Sequence, residues 1–269
     1  MIQDIYPSRL DNSFKNCTPA PGDFLLYFDG TGRLLTRTDN GVIIFPTWSE
    51  GAAVYLFSVD DRRYFLSPLR DRDPEGGFEY RTVRELRDSC SGKELFAAFT
   101  AYHLWKWYDD NRFCSKCAGK LTYDDTERAL FCPACQSKIY PRINPAVIVG
   151  VTKGDSILIT RYRRGYAHNA LVAGFTEIGE TLEQTVEREV MEETGVKVGN
   201  IRYYKSQPWG MAQDMLVGFF CDAQEGSEIH MDEGELKYAQ WVDRRDIVLQ
   251  PGSASLTNEM MRVFRDGLV

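Results

Sequence analysis

Short apolar runs alternate with turn residues in the N-terminal part of the chain. Four of them, FLLYF, GVIIFP, AVYLFSV and RRYFL, lie between residues 24 and 67, separated by glycine, aspartate and asparagine. This pattern predicts an antiparallel sheet of β-hairpins. Further along, the segment YPRINPAVIVGVTKGDSILITRY predicts two more strands joined by a turn at Lys153 to Asp155.

A change of period marks the first predicted helix. Between these two regions, apolar side chains recur at three- and four-residue spacing, which predicts a helix that leads into a cysteine-rich segment. The residues that set this period are Leu95, Phe96, Phe99, Tyr102, His103 and Trp107. Because His103 lies on this aromatic face, we expect it to pack there rather than to bind a metal.

Capping residues predict the bounds of a second helix. Thr181 and Gln184 have the spacing of a capping box, in which each side chain satisfies a backbone N–H of the first turn. Gly195 suits the left-handed position that commonly ends a helix. The predicted apolar stripe consists of Leu182, Val186 and Val190. The side chains predicted to point away from it are Glu183, Glu187 and Met191.

This helix carries more negative charge than its packing requires. Glu189 and Glu193 fall on its apolar side, where carboxylates four residues apart repel each other unless a cation joins them. Arg188 alone cannot neutralise these two side chains together with Glu192. Oxygen-rich clusters of this kind suit Mg²⁺ or Mn²⁺, which bridge to substrate phosphates. The sequence therefore predicts a divalent metal site; the alternative is ordinary charge decoration of an amphipathic helix.

Four cysteines predict a second metal site of a different kind. They have the spacing C-x2-C-x14-C-x2-C and are Cys114, Cys117, Cys132 and Cys135. Two such pairs, each on a short turn, are typical of a zinc ribbon with a small hairpin between the pairs. Because all four ligands are thiolates, we expect one structural Zn²⁺ per chain, with no open position for catalysis.

The cysteine spacing also allows two alternatives to a structural zinc site. Disulfides would account for the cysteines, although they are rare in a reducing cytosol. A nucleic-acid-binding ribbon is the other alternative, but acidic residues offset its lysines and arginine. The remaining cysteines show no ligand spacing and are assigned no role; they are Cys17, Cys90 and Cys221.

Composition limits the class of protein. The chain has 269 residues, of which 43% are hydrophobic and 13% aromatic, enough for buried cores in one large or two modest domains. It lacks both a membrane-spanning stretch of ~18 apolar residues and a secretory leader pattern, so we expect a cytoplasmic protein without membrane contact. The net charge of −7 argues against broad electrostatic capture of nucleic acid. Polyanionic substrates must therefore meet metals or a local basic patch.

The glutamate helix resembles the signature of the Nudix hydrolase family, G-x5-E-x7-R-E-U-x-E-E-x-G-U, in which U is aliphatic. The nine matching residues are Gly174, Glu180, Arg188, Glu189, Val190, Glu192, Glu193, Gly195 and Val196. The resemblance implies that water attacks the diphosphate of a nucleoside diphosphate derivative with the help of two or three Mg²⁺ or Mn²⁺ ions.

The resemblance also implies which residues carry the chemistry. The implied catalytic residues are Glu180, Arg188, Glu189, Glu192 and Glu193. Glu189, Glu192 and Glu193 are the implied Mg²⁺ or Mn²⁺ ligands within the helix. Two further implied ligands are the backbone carbonyl of Ala173 and the side chain of Glu235, for which Asp232 and Glu233 are alternatives.

The order of elements is similar to that of one subfamily, the zinc-ribbon NADH pyrophosphatases. That resemblance covers nearly the whole chain, including SQPW at Ser206 to Trp209. It implies hydrolysis of NAD(H) to nicotinamide mononucleotide and AMP, the same chemistry on 5′ NAD-capped RNA, and a homodimer. The implied substrate contacts are Arg84, Glu127, Tyr140, Phe175, Gln207, Pro208, Trp209 and Met211.

The predicted fold class is α+β with three parts. We expect an N-terminal β-rich domain over residues 1–109 that ends in a helix, and a four-cysteine zinc ribbon over 110–141. Residues 142–269 are expected to form a Nudix α/β/α sandwich with a mixed sheet.

The chain departs from the subfamily directly after SQPW. Where the subfamily continues P-F-P-x-S, this chain has GMAQD at residues 210–214. The loss of two prolines and one aromatic ring predicts a more flexible loop with less surface for packing a base. The alternative substrates are therefore ADP-ribose, FAD, coenzyme A, diadenosine polyphosphates or related compounds. A non-catalytic nucleotide sensor is a third hypothesis, which the intact glutamates disfavour.

Overall fold

The chain is organised as two units. The computed structural model describes residues 1–69, 72–164 and 168–269. One unit contains residues 2–142 and 210–213, and the other contains residue 1 with residues 143–209 and 214–269. We call them the N-terminal unit and, because the second contains the Nudix-like signature, the Nudix unit. Within the described ranges, none of the helices combines the length and the apolar composition that a membrane crossing needs.

The N-terminal unit begins with short strands and continues into two helices. Its strands are β1 (Leu10–Asp11), β2 (Phe24–Leu26), β3 (Leu34–Asp39), β4 (Val42–Ile44), β5 (Val54–Val59), β6 (Arg62–Leu66) and β7 (Glu79–Arg81). The helices are α1 (Val83–Ser89) and α2 (Lys93–Asp110). One sheet has the strand order β1-β5-β6-β2 and another has the order β4-β3-β7. The β-rich N-terminal region and the helix before the ribbon are confirmed.

One hairpin in this unit follows from its turn residues, but one strand pairing does not. Asn40 and Gly41 between β3 and β4 both have positive φ, 49° and 79°, as a two-residue hairpin turn requires. The predicted antiparallel pairing is found for β1 with β5, β5 with β6, β3 with β4 and β3 with β7. The exception is β2, which pairs with β6 in parallel, with Phe24 opposite Tyr64. Since three strands lie between β2 and β6 in the chain, the long connection lets both run in the same direction.

Helix α2 is fixed by aromatic packing. Trp105 stacks on Phe28 with a centroid distance of 4.9 Å. His103 is mostly buried and its Nε2 lies 2.8 Å from the carbonyl oxygen of Arg142. Burial lowers the pKa of this imidazole. His103 is thus a packing residue with a backbone partner, as the sequence predicts.

The ribbon follows directly from this helix. It consists of β8 (Thr122–Tyr123), β9 (Leu130–Phe131) and β10 (Lys138–Ile139), paired in the order β10-β9-β8. Trp107 of α2 is 1% exposed and belongs to the same buried cluster as Leu130, Cys114 and Cys132. The end of the helix therefore supplies core to a segment that is too short to build its own.

The Nudix unit is a sheet between two helices. Its elements are β11 (Asn144–Lys153), β12 (Ser156–Tyr162), β13 (Val172–Phe175), α3 (Leu182–Thr194), β14 (Val198–Trp209), β15 (Asp214–Ala223), β16 (Leu236–Asp243), a 3-10 turn (Arg244–Asp246) and α4 (Leu256–Arg265). The strand order is β14-β15-β11-β12-β16, with β13 also paired to β11. β11 and β15 are parallel and the other pairs are antiparallel, so the sheet is mixed.

The alternating direction of the side chains along β11 explains why a helix packs on each face of the sheet. Val147 belongs to the buried cluster that contains Val190 of α3, whereas the next residue, Ile148, belongs to the cluster that contains Met260 of α4. Successive side chains of a strand point to opposite faces, so one apolar run serves both layers. The predicted α/β/α sandwich with a mixed sheet is confirmed. The predicted turn is also found, because β11 ends at Lys153 and β12 begins at Ser156.

Candidate catalytic metal site and zinc ribbon

Local sequence determines where the glutamate helix begins and ends. Thr181 and Gln184 form a complete capping box, and Thr181 N–H donates to Gln184 Oε1 at 2.8 Å. Gly195 has a φ of 69°, in the left-handed region, and its N–H donates to the carbonyl of Met191. The predicted bounds of α3 are confirmed. Val186 and Val190 are fully buried, and Glu187 and Met191 are exposed, as the predicted stripe requires.

Arg188 holds three carboxylates of the site. Its Nε donates to Glu180 Oε1 at 2.6 Å and its Nη2 donates to Glu180 Oε2 at 2.9 Å, a bidentate pair. Its Nη1 donates to Glu189 Oε1 at 2.7 Å and to Glu192 Oε2 at 3.1 Å. These contacts raise the pKa of Arg188 and lower that of Glu180 to about 2. Glu180 thus fixes the guanidinium group of Arg188, and Arg188 in turn holds Glu189 and Glu192.

A glycine lets Glu189 lie against the backbone of β13. A Cβ atom at position 174 would lie 1.9 Å from Cδ of Glu189 and 2.1 Å from its Oε1. No side chain fits in that space, so only glycine allows the carboxylate its position. The first defined residue of the Nudix signature therefore has a steric purpose in this chain.

Glu193 is the most buried carboxylate of the group. Its relative exposure is 2%, and Tyr162 Oη lies 3.1 Å from its Oε1. Tyr162 Oη also lies 3.4 Å from the carbonyl oxygen of Ala173. Burial, together with the charge of Glu235, raises the pKa of Glu193 to about 8. Burial thus disfavours the charged form of this carboxyl group. A cation bound nearby would stabilise that charged form.

Glu235 lies on a segment that is tied to both α3 and β12. The N–H of Asp232 donates to the carbonyl of Glu193 at 2.9 Å, and the N–H of Arg163 donates to the carbonyl of Glu235 at 2.9 Å. Burial and the charge of Glu189 raise the pKa of the Glu235 carboxyl. Glu235 in turn raises the pKa of Glu193, so the three carboxyl groups share one electrostatic environment. Their mutual repulsion fits a site for divalent cations.

Sequence reasoning missed Tyr162. This side chain connects Glu193 to the Ala173 carbonyl, two of the metal ligands that the resemblance implies. Burial and the neighbouring Glu193 charge raise the pKa of its hydroxyl, so it stays a hydrogen-bond donor at neutral pH. The sequence shows only a tyrosine at the end of an apolar strand, which gives no sign of this contact.

The four cysteines form a compact ligand set. Cys114 Sγ lies 3.6 Å from Cys135 Sγ, and Cys117 Sγ lies 3.5 Å from Cys132 Sγ. All four sulfurs lie within 4.8 Å of one another, which fits a single tetrahedral Zn²⁺. In the part of the chain that the structure describes, no other group of three or more His, Cys, Asp or Glu side chains is gathered this closely.

Each cysteine pair lies on a tight turn with the same design. Within each turn, the N–H of the fourth residue after the first cysteine donates to that cysteine's carbonyl at 2.8 Å. These donors, Ala118 and Gln136, both have positive φ. A Cβ atom added at Gly119 would lie 3.2 Å from Cys132 Sγ, so the sulfurs leave little room for a side chain at position 119. The predicted knuckles and the hairpin between them, β8 with β9, are both present.

The implied substrate contacts in the Nudix unit have different environments. Phe175, at the end of β13, is 54% exposed, and its carbonyl accepts a bond from Arg188. Trp209 and Pro208 end β14 and are half-buried. Gln207 is fully buried, and its side-chain amide bonds Ala254 O and Leu256 N at the start of α4. Its amide therefore has a structural task in this unit.

The other implied contacts lie in the N-terminal unit. Arg84 is exposed on α1 and Met211 is half-buried. Glu127 Oε1 accepts bonds from Lys138 Nζ at 2.6 Å and from Tyr140 Oη at 3.1 Å. These donors lower the pKa of Glu127. Tyr140 is 54% exposed, so its ring has a face available for stacking.

The turn after SQPW packs tightly in the N-terminal unit. A Cβ at Gly210 would lie 2.1 Å from the carbonyl oxygen of Phe99 on α2, so glycine is required where the subfamily has proline. Gln213 has a φ of 63° and accepts a hydrogen bond from Arg142 Nη2. The departure from the subfamily is therefore a specific packing arrangement with α2.

Two families of known domains match this chain. Residues 142–264 match the NUDIX domain, and residues 109–140 match the NADH pyrophosphatase zinc ribbon domain. With these matches, the chain belongs to the Nudix hydrolase family.

The chain is similar in sequence to proteins that carry one enzyme name. The chain is 34% identical over 218 residues to the NAD-capped RNA hydrolase NudC of Klebsiella pneumoniae subsp. pneumoniae, a match that covers 79% of this chain and 76% of the relative. It is 38% identical over 183 residues to the NudC of an Enterobacter species, which covers 67% and 69%. A crystal structure of a Nudix hydrolase from Nitrosomonas europaea shares the fold, with a TM-score of 0.51, 20% identity, and coverage of 58% of this chain and 91% of that one.

Proposed function

We propose that this protein hydrolyses the diphosphate of NAD(H) to nicotinamide mononucleotide and AMP, and removes the same cap from the 5′ end of RNA. The observation that carries the proposal is the carboxylate site around Arg188 and Glu193 in a chain that also has the NADH pyrophosphatase zinc ribbon. The relatives named NAD-capped RNA hydrolase support the choice of substrate.

The residues in and around α3 would have two roles, metal binding and positioning. Glu189, Glu192, Glu193, Glu235 and the Ala173 carbonyl would hold two or three Mg²⁺ or Mn²⁺ ions. When bound, these ions neutralise charge on the diphosphate and lower the pKa of a water that serves as nucleophile. Arg188, fixed by Glu180, keeps Glu189 and Glu192 in position.

The other predicted residues would contact the substrate. Phe175, Trp209 and Tyr140 would stack on the bases, each stacked base contributing ~1 to 3 kcal/mol. Arg84, Glu127, Gln207, Pro208 and Met211 remain proposed contacts. Zn²⁺ in the ribbon would be structural, and we propose a cytoplasmic homodimer whose three parts divide at residues 109/110 and 141/142.

One observation favours a second candidate. The glycine at position 210 and the half-buried Met211 replace the proline and the aromatic ring of the subfamily motif, which changes the surface that follows SQPW. Another dinucleotide or nucleoside diphosphate derivative is therefore the competing substrate, such as ADP-ribose, FAD, coenzyme A or a diadenosine polyphosphate.

A substrate screen with one variant tests the proposal. Purified protein would be incubated with NADH, NAD, NAD-capped RNA and the competing compounds, with and without Mg²⁺ or Mn²⁺, and the products identified by mass. We expect AMP and nicotinamide mononucleotide from NAD(H) only when a divalent ion is present. Glu193→Gln should lower kcat by more than about 100-fold, since mutating even outer residues of metal sites typically costs 10- to 100-fold. Unchanged turnover in this variant would refute the metal assignment, and faster cleavage of a competing compound would refute the substrate.

A further inference from the structure

The two cysteine turns of the ribbon share one sequence pattern. We call FCSKCAGK at residues 113–120 the first knuckle and FCPACQSK at residues 131–138 the second knuckle. The phenylalanine and the lysine of each knuckle are antiparallel partners, Phe113 with Lys120 and Phe131 with Lys138. Residues directly opposite each other project to the same side, with Cβ atoms about 4.5 to 5.5 Å apart. Each knuckle therefore places a lysine next to an aromatic ring.

The second knuckle uses its pair within the N-terminal unit. Lys138 Nζ lies 2.8 Å from Asp124 Oδ2 and 2.6 Å from Glu127 Oε1, and Phe131 is half-buried. In the sequence, these two carboxylates offset the positive charge of the ribbon as a whole. Because both of them lie on Lys138, neither is paired with a lysine of the first knuckle.

The first knuckle leaves the equivalent pair exposed. Phe113 is 64% exposed, in contrast to the half-buried Phe131. Lys120 is exposed, and so is Lys116, which stands where the second knuckle has Ala134. Among the described residues, no carboxylate pairs with either lysine. One hairpin of eight residues thus presents an aromatic ring and two ammonium groups to solvent.

The combination of an exposed ring and unpaired cations points to single-stranded nucleic acid. Aromatic rings stack on nucleobases, whose flat faces are available only in unpaired strands, and cations beside the ring contact the backbone phosphates. An acidic protein surface is the other partner that lysines attract. The ring between the lysines favours the ligand that alternates phosphates with flat bases.

We propose that the first knuckle binds single-stranded RNA, with a base stacked on Phe113 and backbone phosphates at Lys116 and Lys120. This inference rests on the proposed function for the source of the RNA, which is the capped transcript. The knuckle would add a second contact to a substrate that is also held by its cap, and linked contacts strengthen binding of the whole molecule. Free NAD has no polynucleotide chain and would not use this contact.

A salt series tests the two lysines. Fluorescence anisotropy would measure binding of a short, uncapped single-stranded RNA to the full chain and to the variant Lys116→Gln/Lys120→Gln. The slope of log affinity against log salt concentration should become shallower by about 0.7 for each lost phosphate contact, or about 1.4 for both. The control variant is Lys93→Gln/Lys106→Gln, which removes the same charge from α2, where each lysine pairs with an aspartate. It should leave the slope unchanged.

Substitution of the ring tests stacking separately from charge. Phe113→Ala should bind the RNA at least about 5-fold more weakly, since a stacked base contributes ~1 kcal/mol or more. Phe113→Tyr keeps an aromatic face and should bind like the parent. Elemental analysis should find one zinc ion per chain in all these variants, because none of the changed residues belongs to the cysteine set.

Kinetics on two substrates separates this inference from the proposed function. With Lys116→Gln/Lys120→Gln and with Phe113→Ala, kcat/KM should fall for NAD-capped RNA and stay unchanged for free NAD. If the parent cleaves neither substrate, the proposed function fails, while the anisotropy measurements still decide whether the knuckle binds RNA.

Three results would overturn the RNA site. One is RNA binding by both variants that is as tight as that of the parent, and another is an equal loss of kcat/KM on free NAD and capped RNA. The third is unchanged RNA binding together with weaker binding of poly-glutamate by the lysine variant, which would assign the lysines to an acidic protein partner.

Discussion

The four-cysteine ribbon and the glutamate helix both gather side chains suited to binding metals, yet they hold those side chains in different ways. The cysteine sulfurs lie within 4.8 Å of one another, and backbone turns fix them. The carboxylates are fixed by other side chains: Arg188 binds three of them, and Tyr162 binds Glu193. A closed thiolate set suits an ion that stays, whereas carboxylate oxygens suit ions that share their coordination with a substrate.

The largest expected effect comes from breaking the ribbon. Cys132→Ser removes a fully buried ligand that packs with Trp107 and Leu130, so the ribbon should lose both its Zn²⁺ and its fold. Structural zinc sites in small peptides have apparent binding energies of about 10 to 16 kcal/mol, and little else holds such a segment together. Elemental analysis should find no zinc in the variant, and thermal melting should occur at a lower temperature.

The matched control for the ribbon is Cys17→Ser, a half-buried cysteine outside the cluster. It should keep one zinc ion per chain and the parent melting temperature. Retention of full zinc by Cys132→Ser would mean that the sulfurs do not form the closed set described above.

The glutamate helix should be sensitive to a single added carbon. Gly174→Ala would place a Cβ 1.9 Å from Glu189 Cδ and displace the carboxylate. Since a misplacement of about 1 Å can cost 100-fold in rate, kcat should fall by about that factor while the zinc content stays unchanged. Gly30→Ala, where the added Cβ has no neighbour within 4 Å, is the control. Equal activity of the two variants would contradict the steric purpose of Gly174.

A smaller effect is expected when the tyrosine that holds Glu193 is changed. Tyr162→Phe deletes the hydroxyl that lies 3.1 Å from Glu193 Oε1 and leaves the ring in place. Outer partners of metal ligands typically contribute about 10-fold or more to metal affinity or activity. The Mg²⁺ concentration for half-maximal rate should therefore rise by about 10-fold. Tyr203→Phe, an exposed tyrosine of the same unit, should not change it.

The smallest effect concerns stability and pH. Arg188 lowers the pKa of Glu180 to about 2 from an ordinary value of 4.5. A carboxylate with a depressed folded-state pKa contributes stability above its unfolded-state pKa, and that stability is lost as the pH falls towards the folded-state value. Glu180→Gln should therefore melt at a lower temperature than the parent at neutral pH. The difference should narrow steadily as the pH falls from 4.5 towards 2; a constant difference would contradict the charge-based account.

The contrast between the two sites also explains what the sequence could predict. The bounds of α3 and the cysteine knuckles depend on neighbouring residues, such as Thr181 with Gln184 and Cys132 with Cys135, so spacing alone predicts them. The contact of Tyr162 with Glu193 joins residues 31 positions apart, and the parallel pairing of β2 with β6 joins distant strands. No local pattern encodes such contacts, because they depend on how the whole sheet is assembled.

The sequence likewise does not reveal which distant groups a single side chain contacts. The subfamily resemblance suggests Gln207 as a pocket residue, but only the structure reveals that its amide holds the start of α4. The resemblance predicts a looser loop at residues 210–214, a prediction that stays open. What the sequence cannot show is that Gly210 lies against the carbonyl of Phe99.

The packing of Gly210 on Phe99 has a consequence for protein engineering. Because the obstacle at position 210 is a main-chain oxygen of α2, no side-chain substitution on the helix can remove it. Grafting the P-F-P-x-S loop of a relative into this chain would therefore require α2 itself to shift. Loop and helix should be exchanged together when chimaeras are built between members of this family, since they form one transferable module.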